Sequence, residues 1–151
     1  MKSIHLARSR SLAYPCIASL TRTHNLNAFD SNFGFVKGFN GHKFVGIKAY
    51  HSENTAFGVI IEAEEKKYYI TGDTLYNRNI FKELPEDIYA VFLPINGVGN
   101  NMNMADAARF AIDCGAKLAV PIHFGMFDNI NPEDFIFENR VIPEVYKKIP
   151  I

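Results

Sequence analysis

The chain has no net charge, because 16 Lys and Arg offset 16 Asp and Glu. That balance offers no electrostatic footprint for nucleic acid or for an anionic membrane, so neither is expected as a partner. No run of about 18 apolar residues occurs, which excludes a membrane-spanning helix of ordinary length. Cysteine is scarce: Cys16 and Cys114 lie far apart and form no Cys-x-x-Cys pair. Cys114 falls on the apolar side of an expected helix, where a reduced, buried thiol is the plain reading in a cytoplasmic setting. No acidic residue precedes Asp30, although Lys2, Arg8, Arg10 and Arg22 do. Internal repeats and low-complexity tracts are also missing. What is present is globular composition, 48% apolar and 21% charged, in 151 residues that suit one domain or part of a larger one.

The basic segment 1–42 stands apart from the rest. Its Arg, Ser and Thr content is similar to that of a transit peptide, but Ala13-Tyr14-Pro15-Cys16 interrupts any continuous apolar stretch. The other reading is a truncated or aberrant N-terminus ahead of the real domain, which then occupies 43–151.

From Lys43 onward the pattern is legible. Phe44–Ala49 and Phe57–Ala63 read as strands, and Lys67–Thr71 as a third, joined to the second by the charged turn Glu64-Glu65-Lys66. Asn79–Leu84 predicts a short helix stopped by Pro85. Tyr89–Pro94 and Lys117–Ile122 are continuous apolar runs, as expected of strands covered on both faces. Between them, Asn103 is a candidate N-cap for a helix over Met104–Cys114. Its apolar positions Met104, Ala107, Ala108, Ala111 and Ile112 recur at helical spacing, and Gly115 follows as a terminator. The segment from Pro132 to Lys147 is expected to be mostly helical, with Pro143 kinking or splitting it. The order predicts an α/β fold: a mixed sheet with helices packed on at least one face.

Three potential metal ligands share one kind of position. His51 follows the first of these strands, Asp73 the third, and His123 the last. Strand ends and the loops after them are where open sheets place binding groups. If those tips meet at one edge, two imidazoles and a carboxylate converge, a donor set suited to zinc, manganese or iron. Taken singly, each has a plainer reading: a hydrogen-bonded histidine, or a Gly-Asp turn.

The flanking residues add a resemblance. Thr71-Gly72-Asp73-Thr74-Leu75-Tyr76 resembles the Gly-Asp-Thr segment of the metallo-β-lactamase superfamily, whose carboxylate bridges two metal ions. Val120-Pro121-Ile122-His123-Phe124-Gly125 resembles the strand that delivers the family's last histidine, and Ala49-Tyr50-His51-Ser52 the segment that supplies the middle one. Leu93-Pro94-Ile95-Asn96-Gly97, followed by Asn101-Met102 and by the stretch His123 to Asn129, looks like the branch of L-ascorbate-6-phosphate lactonase. The resemblance covers the last two-thirds of the chain. It implies the C-terminal half of an αββα sandwich, a divalent metal (zinc or manganese), and catalytic roles for Asp73 and His123 beside the ligand His51. Its implied partner is a small-molecule substrate such as a sugar-phosphate lactone, and it allows a homo-oligomer.

One departure bears on that implication. The superfamily's His-x-His-x-Asp-His motif occurs nowhere, since His5, His24 and His42 are isolated. His51, Asp73 and His123 could hold one metal with open positions, but not easily two. Asn96 and Asn101 are candidates for contacting substrate; with Asn103 they also fit as turn formers and a helix cap. Phe124, Met126 and Phe127 could wall a pocket or simply pack, and Arg78 could meet a phosphate or lie in solvent. Two expectations stand side by side: a lactonase-like metal-dependent hydrolase, and a non-catalytic remnant or interaction module that retains the fold half. A nuclease from the same superfamily would want a basic groove, which the charge balance does not supply.

Overall fold

The computed structural model of the protein describes the backbone of 36–39 and the whole of residues 41–125 and 129–151. The expectations for 1–35 and for Met126 and Phe127 lie outside the described residues. Six strands form one sheet in chain order: β1 (Val36–Phe39), β2 (His42–Lys48), β3 (Phe57–Ala63), β4 (Lys66–Ile70), β5 (Ile88–Pro94) and β6 (Leu118–Ile122). The first four pair antiparallel as a meander; β4–β5 and β5–β6 are parallel. Glu64 and Glu65 both have positive φ, 51° and 61°, which closes the tight β3–β4 turn with the handedness such hairpins favour. Parallel neighbours need crossovers. A single 3-10 turn, Ile80–Lys82, lies in the first, and helix α1 (Met104–Asp113) in the second.

The register explains the core. Val45, Ile60, Tyr69, Val91 and Ala119 align across five strands. All but the half-buried Val45 are fully enclosed. They face α1, whose buried residues are Ala107, Phe110 and Ala111. Phe110 takes the place the sequence reading gave to Ile112, which is 67% exposed on the far side. The apolar arc runs 107, 110, 111, and residue 112 has rotated off it.

Caps set both ends of α1. Asn103 Oδ1 accepts from the Asp106 N–H at 2.9 Å. At the other end Gly115 sits at φ 66°, its N–H bonds the Ile112 carbonyl, and the Ala116 N–H bonds that of Ala111, the paired closure of a Schellman motif. Asn103→Ala is expected to cost about 1 kcal/mol, with Asn103→Asp near neutral, as read by urea unfolding.

The expected C-terminal helix is corrected. Only Pro132–Asp134 form a 3-10 turn. Beyond it the chain runs alongside β6: the Ala119 N–H bonds the Asn139 carbonyl at 3.1 Å, and the Val141 N–H bonds the Ala119 carbonyl at 2.9 Å. A strand edge with unpaired backbone groups outcompetes a helical propensity already broken by Pro143. Phe135, fully buried, anchors this segment in the core.

Cys114 is a free thiol, and burial pushes it up to about 11. It therefore stays protonated at neutral pH, in keeping with a packing role. Among the described residues no helix is long and apolar enough to cross a membrane.

Candidate functional site

Strand direction brings the candidate residues to one edge. β2 and β4 are each antiparallel to β3, so they run the same way, and β5 and β6 run parallel to β4. The C-terminal ends of these four strands therefore share an edge. From them emerge the loops carrying His51, Asp73, Asn96 to Asn101, and His123.

Glycine makes the Asp73 loop possible. Gly72 adopts φ 64°, the left-handed region that a side chain disfavours. Opposite it, a Cβ on Gly58 would lie 2.7 Å from the carbonyl oxygens of both Ile70 and Thr71. Those are backbone atoms, so β3 and β4 would have to part. Gly58→Ala is expected to lose at least ~2 kcal/mol and to lower Tm by roughly 5 °C or more, measurable by a thermal scan. An unchanged Tm would mean that the strands relax freely at this point.

At the edge, Asp73 Oδ1 lies 3.3 Å from His123 Nδ1, with the two side chains 34% and 20% exposed. Asn101 Nδ2 approaches the same nitrogen at 3.4 Å. One ring nitrogen cannot serve both at once. Protonated, Nδ1 donates to the carboxylate; unprotonated, it accepts from the amide. The first arrangement leaves Nε2 with its lone pair free, as a metal-binding imidazole requires. Asn101 Oδ1 is buried with no hydrogen-bond partner, an uncommon state for a polar atom. His123 itself has φ 56°. A non-glycine residue held in that region costs on the order of 1–3 kcal/mol, and such residues concentrate at functional positions.

His51 stands in a different state. Its Nδ1 accepts from the Glu53 N–H at 3.1 Å, which places the neutral ring's proton on Nε2. Neither nitrogen then offers a free lone pair until that contact breaks or the ring turns. Beside it opens a cleft of about 320 Å3, lined by Tyr50, His51, Ser52, Leu75, Tyr76, Asn77 and Asn100. The Tyr76 ring is held from behind by Phe81 and Phe110, and Arg109 lies over it.

The donor chemistry of Asp73 and His123 fits one wall of a metal centre. Among the described residues, however, no group of three or more His, Cys, Asp and Glu side chains could hold a metal ion. A closed centre thus asks for movement at His51 or for donors beyond those described.

The two other asparagines are occupied. Asn96 Oδ1 accepts from the Val98 N–H at 3.4 Å, stabilising its own turn, and Asn103 caps α1. Of the three, Asn101 is the one that reaches the site. Arg78 is exposed, and Phe124 packs against the core. Thr74, which the sequence marks only as part of the Gly-Asp-Thr segment, is a fully buried polar residue next to Asp73; sequence reasoning gives it no role, because its contacts arise only in the tertiary structure.

No family model matches the chain. It is 33% identical over 104 residues to a UPF0173 metal-dependent hydrolase of Enterococcus faecalis, covering 68% of this chain and 45% of that protein. It is 32% identical over 117 residues to another from Korarchaeum cryptofilum, covering 74% and 51%. The chain thus spans about half the length of the curated relatives it matches. Among solved structures it resembles Igni18, a metallo hydrolase of the archaeon Ignicoccus hospitalis, with TM-score 0.61 and 22% identity over 81% of this chain and 56% of that one. It also resembles the metallo-β-lactamase fold protein YhfI of Bacillus subtilis, with TM-score 0.58 and 20% identity over 74% and 50%. The fold is accordingly that of a metallo-β-lactamase, represented here by part of it.

Proposed function

We propose that this chain carries part of the active site of a metal-dependent hydrolase, with Asp73 and His123 as metal ligands, His51 as a third, and a lactone or related ester as substrate. The observation that carries the reading is the Asp73–His123 contact, at a shared strand edge, in a chain similar to proteins named metal-dependent hydrolases. A divalent ion bound there would lower the pKa of a water and polarise a carbonyl. The chain's own groups have simpler tasks. The Asp73 carboxylate, 3.3 Å from His123 Nδ1, holds the imidazole in place through that contact. Asn101, beside them, offers an amide to a substrate oxygen. The cleft next to His51 is lined by tyrosines, Leu75 and uncharged amides, surfaces that suit a ring bearing hydroxyl groups.

Lactone opening adds one water and yields a hydroxy acid, which releases a proton at neutral pH. A pH-stat screen of sugar lactones, with and without a phosphate, therefore tests the substrate class on the zinc- or manganese-loaded chain. Proton release above the uncatalysed rate supports it; none from any lactone, in a chain that does retain metal, rejects lactones as substrates.

A second reading rests on a specific observation. His51 Nδ1 is engaged by Glu53, and no three donors of the described residues meet. A non-catalytic remnant that keeps the fold half would look like this. It predicts a Tm that neither chelator nor added zinc changes, whereas a ligand bound at 100 times its Kd would add about 2.7 kcal/mol.

A further inference from the structure

We infer that Thr74 is a positioning residue that clips together the three loops bearing His51, Asp73 and Asn101. It is fully buried, and every polar atom it has beyond its N–H is used. Its Oγ1 accepts from the Tyr50 N–H at 2.9 Å and donates to the Leu75 carbonyl at 3.0 Å. Its own carbonyl accepts from the Met102 N–H at 3.0 Å. The Leu75 N–H returns to the Tyr50 carbonyl at 2.9 Å, closing the link between the first two loops.

Each of these contacts lies one residue from a candidate side chain. Tyr50 precedes His51, Thr74 follows Asp73, and Met102 follows Asn101. The loops leave three different strands, so strand pairing alone does not set their separation; the Thr74 contacts do. The role needs a small side chain that both donates and accepts, which serine shares and valine lacks. Valine keeps the shape and the methyl packing, but strips the Tyr50 N–H of its acceptor. Serine keeps the hydroxyl and loses a methyl. The pair of variants separates hydrogen bonding from packing.

The consequence for metal rests on the reading above; the consequence for the loops does not. Amide exchange by NMR on the full chain tests the loops. In the wild type, the Tyr50, Leu75 and Met102 amides are expected to open as one unit, with protection agreeing within ~10-fold. In Thr74→Val, Tyr50 exchange rises by roughly 10-fold or more relative to the β5 amides, whereas Thr74→Ser stays near wild type. Zinc affinity by equilibrium dialysis falls ~10–100-fold in Thr74→Val and is restored in Thr74→Ser.

The inference is overturned if Thr74→Val leaves Tyr50 protected, or if Thr74→Ser is as damaging as Thr74→Val, which would make the methyl the relevant group. If Thr74→Val does not fold, the wild-type exchange decides alone: three amides opening with unrelated free energies refute the clip. If the wild type binds no zinc, the metal reading fails, and the exchange comparison still decides the role of Thr74.

Discussion

Asp73→Ala and His123→Ala are each expected to abolish retention of zinc or manganese, with affinity at least ~100-fold below that of the unsubstituted chain. Losing an outer hydrogen-bond partner of a ligand already costs up to that much, and here a direct donor is removed. The two side chains lie 3.3 Å apart and only partly exposed, so either truncation also removes a contact of the other. Elemental analysis after loading and desalting reads the outcome. About one equivalent in the wild type, lost in both variants, supports the site. Metal kept by both variants would place the ion elsewhere. A wild type that holds none would reduce the chain to a fold half without its chemistry. Folding must be checked in parallel, because alanine at position 123 keeps a Cβ at φ 56° and so inherits the strain of that backbone. His123→Gly is the useful control: φ 56° costs glycine little, so the fold should hold while the metal is lost.

Phe110→Ala is the substitution with the largest expected effect on stability, about 3–5 kcal/mol. Its ring is fully buried and meets Phe81, Tyr69 and Tyr76 at centroid distances of 5.0, 6.2 and 6.2 Å. The alanine would leave a cavity between α1 and the sheet that backbone shifts close only in part. Domains are stable by about 5–15 kcal/mol, so this one change could consume half the margin. Urea unfolding should show a lower midpoint with an unchanged slope. A loss below about 1 kcal/mol would mean that α1 packs far more loosely than its contacts indicate. Because Phe110 also backs Tyr76 at the cleft, the variant is expected to lose order there as well.

Much of the fold is legible in the sequence because burial leaves a pattern. The strands β2 to β6 appear as alternating or continuous apolar runs, and α1 as a 3.6-residue repeat between an asparagine cap and a glycine stop. The segment after Pro132 misleads for the same reason. Its apolar residues suit either a helix or an extended strip packed at an edge, and only the open side of β6 decides between them.

For the site, the order of residues already specifies the chemistry: which imidazoles and which carboxylate are available, that each follows a strand, and that Gly72 frees the turn before Asp73. Which of them meet is settled by the way the strands pair. Co-directional β2, β4, β5 and β6 place the loops at one edge, and strand direction is a property of pairing, not of any single segment. The Asp73–His123 contact spans fifty residues of sequence and the Tyr50–Thr74 hydrogen bond spans 24. No local pattern encodes either, because the partners' positions depend on every strand between them.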